Sequence, residues 1–189
     1  MIQGRYVSAV VYGLMLAGLA LPVSGGVARA EVPLFENLGV LHHEITTNSS
    51  LAQNYFDQGL RLVYAFNHEE AIAAFAEASR LDPDAPMPYW GVALSLGPNI
   101  NAAMDSKSES RAVEAVQKAT GRLAHATPKE RAYVEALAAR YSIKKSATRK
   151  AKDEAYGKAM RRLTHDYPED ADAATACAEA LMVLRAWDY

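Results

Sequence analysis

Histidines and carboxylates are grouped in two short stretches of this sequence. Residues 42–44 read His-His-Glu, and residues 68–70 read His-Glu-Glu. Imidazole and carboxylate groups are ligands that zinc and copper favour in proteins. Adjacent histidines point to opposite sides of an extended chain, so a metal site formed by His42, His43 and His68 requires the N-terminal segment to fold back over a helix start. Two interpretations are open: a metal site completed by further segments of a longer protein, or acids placed to suit the dipole at that helix start.

Signatures of catalysis are absent from the sequence. It has no G-x-S-x-G elbow, no H-E-x-x-H, no C-x-x-C-H and no glycine-rich phosphate loop. Asp82, Asp84 and Asp105 stand in turns, where aspartate commonly caps or forms the turn. The lone cysteine, Cys177, forms no internal disulfide; it is either a functional thiol, reactive or in an intermolecular bridge, or a small buried residue. We therefore expect a protein without catalytic activity or cofactor.

The elements that carry these residues are predicted to be helices. No stretch alternates β-branched residues with a period of two, whereas amphipathic runs follow repeated helix-start signals. Ser50 with Gln53, and Asn67 with Glu70, form two capping boxes that predict consecutive helices. The connection between these helices is short, so we expect them to lie antiparallel as a hairpin. The chain is predicted to be all-α, with about seven helices.

Small residues, one aromatic residue and one proline recur at set intervals across this hairpin. Gly59, Ala71, Phe75, Ala78 and Pro83 stand at offsets of 0, 12, 16, 19 and 24. The small residues allow two backbones to approach closely, the phenylalanine fills the space beside them, and the proline ends the second helix. The hairpin thus resembles a tetratricopeptide repeat, a helix-turn-helix unit of about 34 residues.

The rest of the chain resembles further units of the same kind. The blocks FDQGL, YAFNHEEA, LDPD, YWG and GPNIN are similar to those of exported bacterial tetratricopeptide-repeat proteins. That resemblance implies a solenoid, a right-handed superhelix of antiparallel helix pairs. Proteins of this group are longer, so it also implies that the chain is truncated after residue 189. The units are predicted over residues 50–84, 85–125 (with an insertion) and 127–168, with a partial unit over 169–189.

A stack of such hairpins buries a continuous core and presents a concave surface formed mainly by the first helix of each unit. This surface is the predicted site for a protein or an extended peptide, and its residues are mainly apolar. The N-terminal segment, residues 31–45, is an alternative occupant. The two asparagines at the rim either read a peptide backbone or cap their own turn. The predicted groove residues are Gln53, Phe56, Leu60, Val63, Tyr64, Met87, Trp90, Leu94, Asn99 and Asn101.

Residues 1–30 have the features of a secretory signal. Arg5 precedes an apolar stretch over residues 6–23, and Ala28-Arg29-Ala30 fits a small-x-small cleavage site. We expect cleavage after Ala30 and a periplasmic or secreted protein, with an extended segment over 31–49 ahead of the helical domain over 50–189. The alternative is an uncleaved anchor, because the apolar stretch is close to the ~20 residues that span a bilayer.

The sequence has a small negative net charge. The net charge is −2, and it becomes −4 once Arg5 and Arg29 are removed, so no basic face for nucleic acid is indicated.

The last predicted helix has no following helix to cover its apolar stripe, so we expect self-association or fraying there. The stripe comprises Ala174, Cys177, Ala178, Leu181 and Leu184.

Overall fold

The computed structural model describes Met1, residues 32–141 and residues 147–187. The predicted signal sequence therefore lies outside the described residues. The chain divides into Met1–Glu31 and Val32–Tyr189, and all the helices below belong to the second unit. None of the described helices combines the length and apolar character that a membrane crossing requires.

The described residues form seven α-helices and no β-strand, which confirms the all-α prediction and the helix number. Residues Leu123–His125 add a single 3₁₀ turn. Each helix packs against the next one in the chain, and α1 also contacts α3, as α3 contacts α5. The helices are α1 (Ser50–Tyr64), α2 (His68–Leu81), α3 (Pro86–Ser95), α4 (Ser106–Thr120), α5 (Pro128–Tyr141), α6 (Arg149–Asp166) and α7 (Ala171–Val183).

The start of α1 differs from the prediction. Ser49, rather than Ser50, is the N-cap, and its Oγ accepts a hydrogen bond from the backbone N–H of Ala52 at 3.1 Å. The capping box of Ser50 and Gln53 is therefore wrong, because the Gln53 amide instead bonds to the main chain of the segment before the helix. Asn67 is the N-cap of α2 but makes no side-chain capping bond.

A capping box is present at the start of α5. The backbone N–H of Thr127 donates to Glu130 Oε2 at 2.8 Å, and the N–H of Glu130 donates to Thr127 Oγ1 at 3.2 Å. This reciprocal pair satisfies donors that a helix start leaves free. It also orients the buried Glu130 side chain, whose Oε1 accepts a further hydrogen bond from the backbone N–H of Thr46, the residue directly after the N-terminal segment.

Phe75 joins the first three helices. Its side chain is fully buried, and a Cβ atom added at Gly59 or at Gly91 would lie only 2.6 Å or 2.5 Å from its ring. The ring therefore lies directly against the backbones of α1 and α3. Ala71 and Ala78, the other small residues of the repeat pattern, are also fully buried. The close α1–α2 contact that the spacing predicts is present, and Gly91 extends it to α3.

The apolar stripe of α7 is partly covered. Cys177 is buried, as one of its two interpretations requires, whereas Ala174 and Ala178 are exposed. Leu181 and Leu184 are half-buried and lie near Gly157 of α6. The covered part of the stripe therefore faces the preceding helix.

Candidate binding pocket

A cavity of about 400 Å³ opens mainly between four alternate helices, α1, α3, α5 and α7, and is also lined by His68 at the start of α2 and by the loop residues Phe66 and Ile100. The four alternate helices are the first helices of the predicted units. The α7 wall is one helical face, because its lining residues recur every three or four positions. Most of the lining is apolar. The apolar side chains include Leu60, Val63, Trp90, Leu94, Ile100 and Met182.

Half of the predicted groove residues line this cavity, namely Leu60, Val63, Tyr64, Trp90 and Leu94. The others lie elsewhere. Phe56 and Met87 are fully buried, and the amide of Gln53 bonds to Ile45 and His43 of the N-terminal segment.

Asn99 and Asn101 belong to the loop that follows α3. Asn99 Oδ1 accepts hydrogen bonds from the N–H groups of Asn101 and Ala102 at 2.8 and 3.0 Å, so this side chain forms its own turn. Its Nδ2 lies 3.3 Å from His68 Nε2. Asn101 is exposed. Of the two interpretations of this loop, the hydrogen bonds of Asn99 support the one in which the side chain caps its own turn.

The N-terminal segment lies along α1 with the cavity still open. The Tyr55 hydroxyl donates to Val32 O at 2.6 Å, and Gln58 Nε2 donates to Pro33 O at 2.8 Å. Further along, the Arg61 guanidinium donates to the carbonyl of Leu41. The segment then reaches the cavity wall at the next buried residue, His43.

His43 links the N-terminal segment to α7. Its Nδ1 lies 2.6 Å from Asp172 Oδ2, and the Tyr64 hydroxyl donates to Asp172 Oδ1 at 2.7 Å. The bond from His43, together with that from Tyr64, holds the pKa of the Asp172 carboxyl below its usual range. An ionised carboxylate only accepts hydrogen bonds, so His43 Nδ1 carries the proton in this pair.

A second carboxylate stands beside this pair. Asp170 is the N-cap of α7, where its Oδ1 accepts from the N–H of Ala173 at 3.0 Å and from the Tyr133 hydroxyl at 2.9 Å. Lys129 Nζ forms an ion pair with Asp170 Oδ2 at 3.0 Å. Burial raises the pKa of the Tyr64 and Tyr133 hydroxyls well above the usual range, so both remain neutral donors.

Possible metal-ligand atoms of His43, Asp170 and Asp172 all lie within 4.8 Å of one another. Of these three residues, His43 alone is among the candidate ligands that the sequence indicates, which are His42, His43 and His68. His42 is exposed and pairs with Asp57 at 2.7 Å, and His68 lies against the loop after α3. The sequence analysis missed both aspartates, although the Asp-x-Asp spacing at the start of a helix was a visible signal.

Several polar groups of the cavity lining lack partners within the described ranges. His43 Nε2, His68 Nδ1 and Trp90 Nε1 are buried without a hydrogen bond. The half-buried carboxylate of Glu179 has neither a hydrogen bond nor an ion pair there. Burial raises the pKa of Glu179, and the charge of Arg140 opposes that shift only in part. These are the groups that a ligand in the cavity can satisfy.

Comparison of the chain with protein-family models, with curated proteins and with solved structures finds no match. The resemblance to tetratricopeptide-repeat proteins therefore stays a prediction from the sequence blocks. The function has to be inferred from the cavity and its surroundings.

Acid should weaken the attachment of the N-terminal segment to α7. Because the folded-state pKa of Asp172 is depressed, its contribution to stability is complete above the ordinary aspartate pKa of ~3.9 and is lost as the pH falls through the folded value. Asp172→Asn should lower stability at neutral pH and flatten its decline in acid. Urea unfolding between about pH 3 and pH 7 checks this, with the exposed Asp84→Asn as control. An unchanged pH profile in Asp172→Asn would contradict the assignment.

Proposed function

We propose that this chain is an exported, non-catalytic scaffold of the tetratricopeptide type, which binds a protein or an extended peptide. The observation that carries the proposal is the cavity whose walls come mainly from α1, α3, α5 and α7. Alternate helices form the concave surface of a helical-hairpin solenoid. The cavity also falls within the ~300–1,000 Å³ typical of ligand pockets.

The position of the N-terminal segment supports a separate occupant. The segment is held on α1 by Gln53, Asp57, Gln58 and Arg61, through bonds to its main chain. The cavity is present with the segment in this position, and His43 is the one residue of the segment's described part, residues 32–45, that lines it. The segment therefore forms part of the wall and leaves the space for a partner.

The chemistry of the lining favours binding over catalysis. Apart from the two tyrosines, Thr175 carries the one hydroxyl among the described lining residues, and it donates to the carbonyl of Ala171 in its own helix at 2.8 Å. A catalytic hydroxyl nucleophile instead needs a general base as its hydrogen-bond partner. Metal binding at His43, Asp170 and Asp172 is the alternative function. It is less favoured because both carboxylates already have protein partners.

Photo-cross-linking in the exporting cell tests the proposed function. A photoreactive amino acid replacing Met182, on the α7 wall, should give discrete cross-links to another protein. The same amino acid at Lys158, which is exposed on α6 and does not line the cavity, is the matched control. Equal labelling from both positions, or none from position 182, would reject the cavity as the partner site.

A further inference from the structure

We propose that the cavity recognises a basic side chain, lysine or arginine, presented by an extended segment of the partner. This inference rests on the proposed function of the cavity, and it specifies the chemistry that the cavity selects. The occupant is identified by charge complementarity, by a carboxylate without a partner in the described part of the chain and by two of the three unpartnered ring nitrogens in the lining, those of His43 and Trp90.

The charges of the lining have one sign. Asp172 and Glu179 both line the cavity, and among the described residues no lysine or arginine does so. The two acids are seven residues apart on α7, which places them about 10 Å apart along the helix axis on one face. A cleft lined by one sign of charge concentrates ligands of the opposite sign. The cavity therefore favours a cation.

Glu179 is the carboxylate that needs this cation. Asp172 already accepts hydrogen bonds from His43 and Tyr64, so it belongs to the framework of the wall. Glu179 is half-buried without a partner in the described part of the chain. The nearby guanidinium of Arg140 forms its own ion pair, with Asp153 at 3.0 Å. Half-burying a carboxylate without a counter-charge costs free energy, and a bound cation offsets that cost.

The remaining lining suits the rest of a basic residue. Leu60, Leu94 and Met182 offer apolar surface for the methylene stem, and lysine and arginine commonly lay their stems along such surface. The indole of Trp90 also lines the cavity, and aromatic faces attract cations. The cavity thus matches both the stem and the charged end of the side chain.

Two of the unpartnered ring nitrogens, His43 Nε2 and Trp90 Nε1, are complementary to a peptide. His43 Nδ1–H donates its hydrogen bond to Asp172, so in the neutral ring Nε2 is an acceptor for a donor of the ligand. Trp90 Nε1–H is a donor and needs an acceptor, which a backbone carbonyl of the partner supplies. A lysine or arginine residue in an extended peptide carries both kinds of group. A bare metal ion has no hydrogen-bond acceptor to offer Trp90 Nε1–H.

Peptide sub-libraries test the inference with the purified full chain. The probes are blocked peptides of random flanking sequence with lysine, arginine, norleucine or glutamate fixed at the centre. We expect the two basic sub-libraries to be retained at least ~10-fold better than the other two, a difference of about 1.4 kcal/mol. The preference should disappear in Glu179→Gln and persist in Glu135→Gln, since Glu135 is exposed on α5 and outside the cavity lining.

Two further measurements keep the outcomes distinct. Glu179→Gln should unfold at the same or a higher temperature, because it removes a desolvated charge, so loss of the preference cannot be attributed to misfolding. Val63→Trp fills the cavity and should abolish retention of all four sub-libraries. Retention that Val63→Trp abolishes but that shows no basic preference, or a preference that survives in Glu179→Gln, overturns this inference and leaves the proposed function intact. Retention that is unaffected by Val63→Trp, or no retention at all, overturns both.

Discussion

Replacing Phe75 with alanine should lower the free energy of unfolding by about 3–5 kcal/mol, the range for removing a fully buried phenylalanine ring. The ring is completely buried, touches the backbone at Gly59 and Gly91, and lies 5.3 Å from the ring of Phe56. Removing the ring therefore leaves a cavity between three closely packed helices. Urea denaturation followed by circular dichroism measures the loss.

The matched control for this prediction is Phe66→Ala, because Phe66 is 50 % exposed. The same chemical change there should cost only a small fraction of the effect at Phe75. Adding a larger side chain at the same helix contact should also lower stability. Gly59→Leu or Ala71→Leu should destabilise the fold by ~1–3 kcal/mol or more through overpacking. A Phe75→Ala variant as stable as Phe66→Ala would show that the three helices do not meet at this ring.

The second large effect is expected at Arg140, where replacement by methionine should cost about 3–5 kcal/mol. Arg140 is 1 % exposed, its Nε lies 3.0 Å from Asp153 Oδ1, and its guanidinium stacks 4.0 Å from the centre of the Tyr156 ring. Removing it leaves the buried Asp153 with Arg149 as its one cationic partner among the described residues, and Arg149 is half-exposed. Thermal and urea unfolding measure the loss.

A double variant separates the charge from the packing. Arg140→Met combined with Asp153→Leu removes both buried charges, so most of the lost stability should return. The control is Arg131→Ala, an exposed arginine on the same helix whose loss should cost ~0.5 kcal/mol or less. If the double variant is as unstable as Arg140→Met alone, the role of Arg140 lies in its packing on Tyr156 and the electrostatic explanation fails.

Local patterns were sufficient for the helices and for the hairpin contact. The offsets of Gly59, Ala71 and Phe75 reflect contacts within neighbouring helices, where sequence spacing determines which faces meet. The start of α1 was misplaced because Gln53 has a competing partner in the N-terminal segment. A capping pattern records only local hydrogen bonds, and it cannot register a tertiary one.

Local sequence patterns could not predict how the polar residues of the cavity come together. His43 and Asp172 are 129 positions apart, and no local period connects them. Glu179 carries no motif, and its significance comes only from its place on the cavity wall without a partner. The sequence indicated His43 and the apolar wall, whereas the carboxylates of α7 required the tertiary arrangement of the helices.

The path of the N-terminal segment has a consequence for how the domain folds and opens. In a linear array of repeats each unit contacts only its neighbours, so the two ends open independently. Here Thr46 bonds to Glu130, 84 positions away, and His43 bonds to α7. Opening of α7 therefore breaks the hydrogen bond between His43 and Asp172, and we expect amide exchange in the N-terminal segment and in α7 to be coupled. These distant pairings also raise the contact order, so this helical domain folds more slowly than its local hairpins alone would allow.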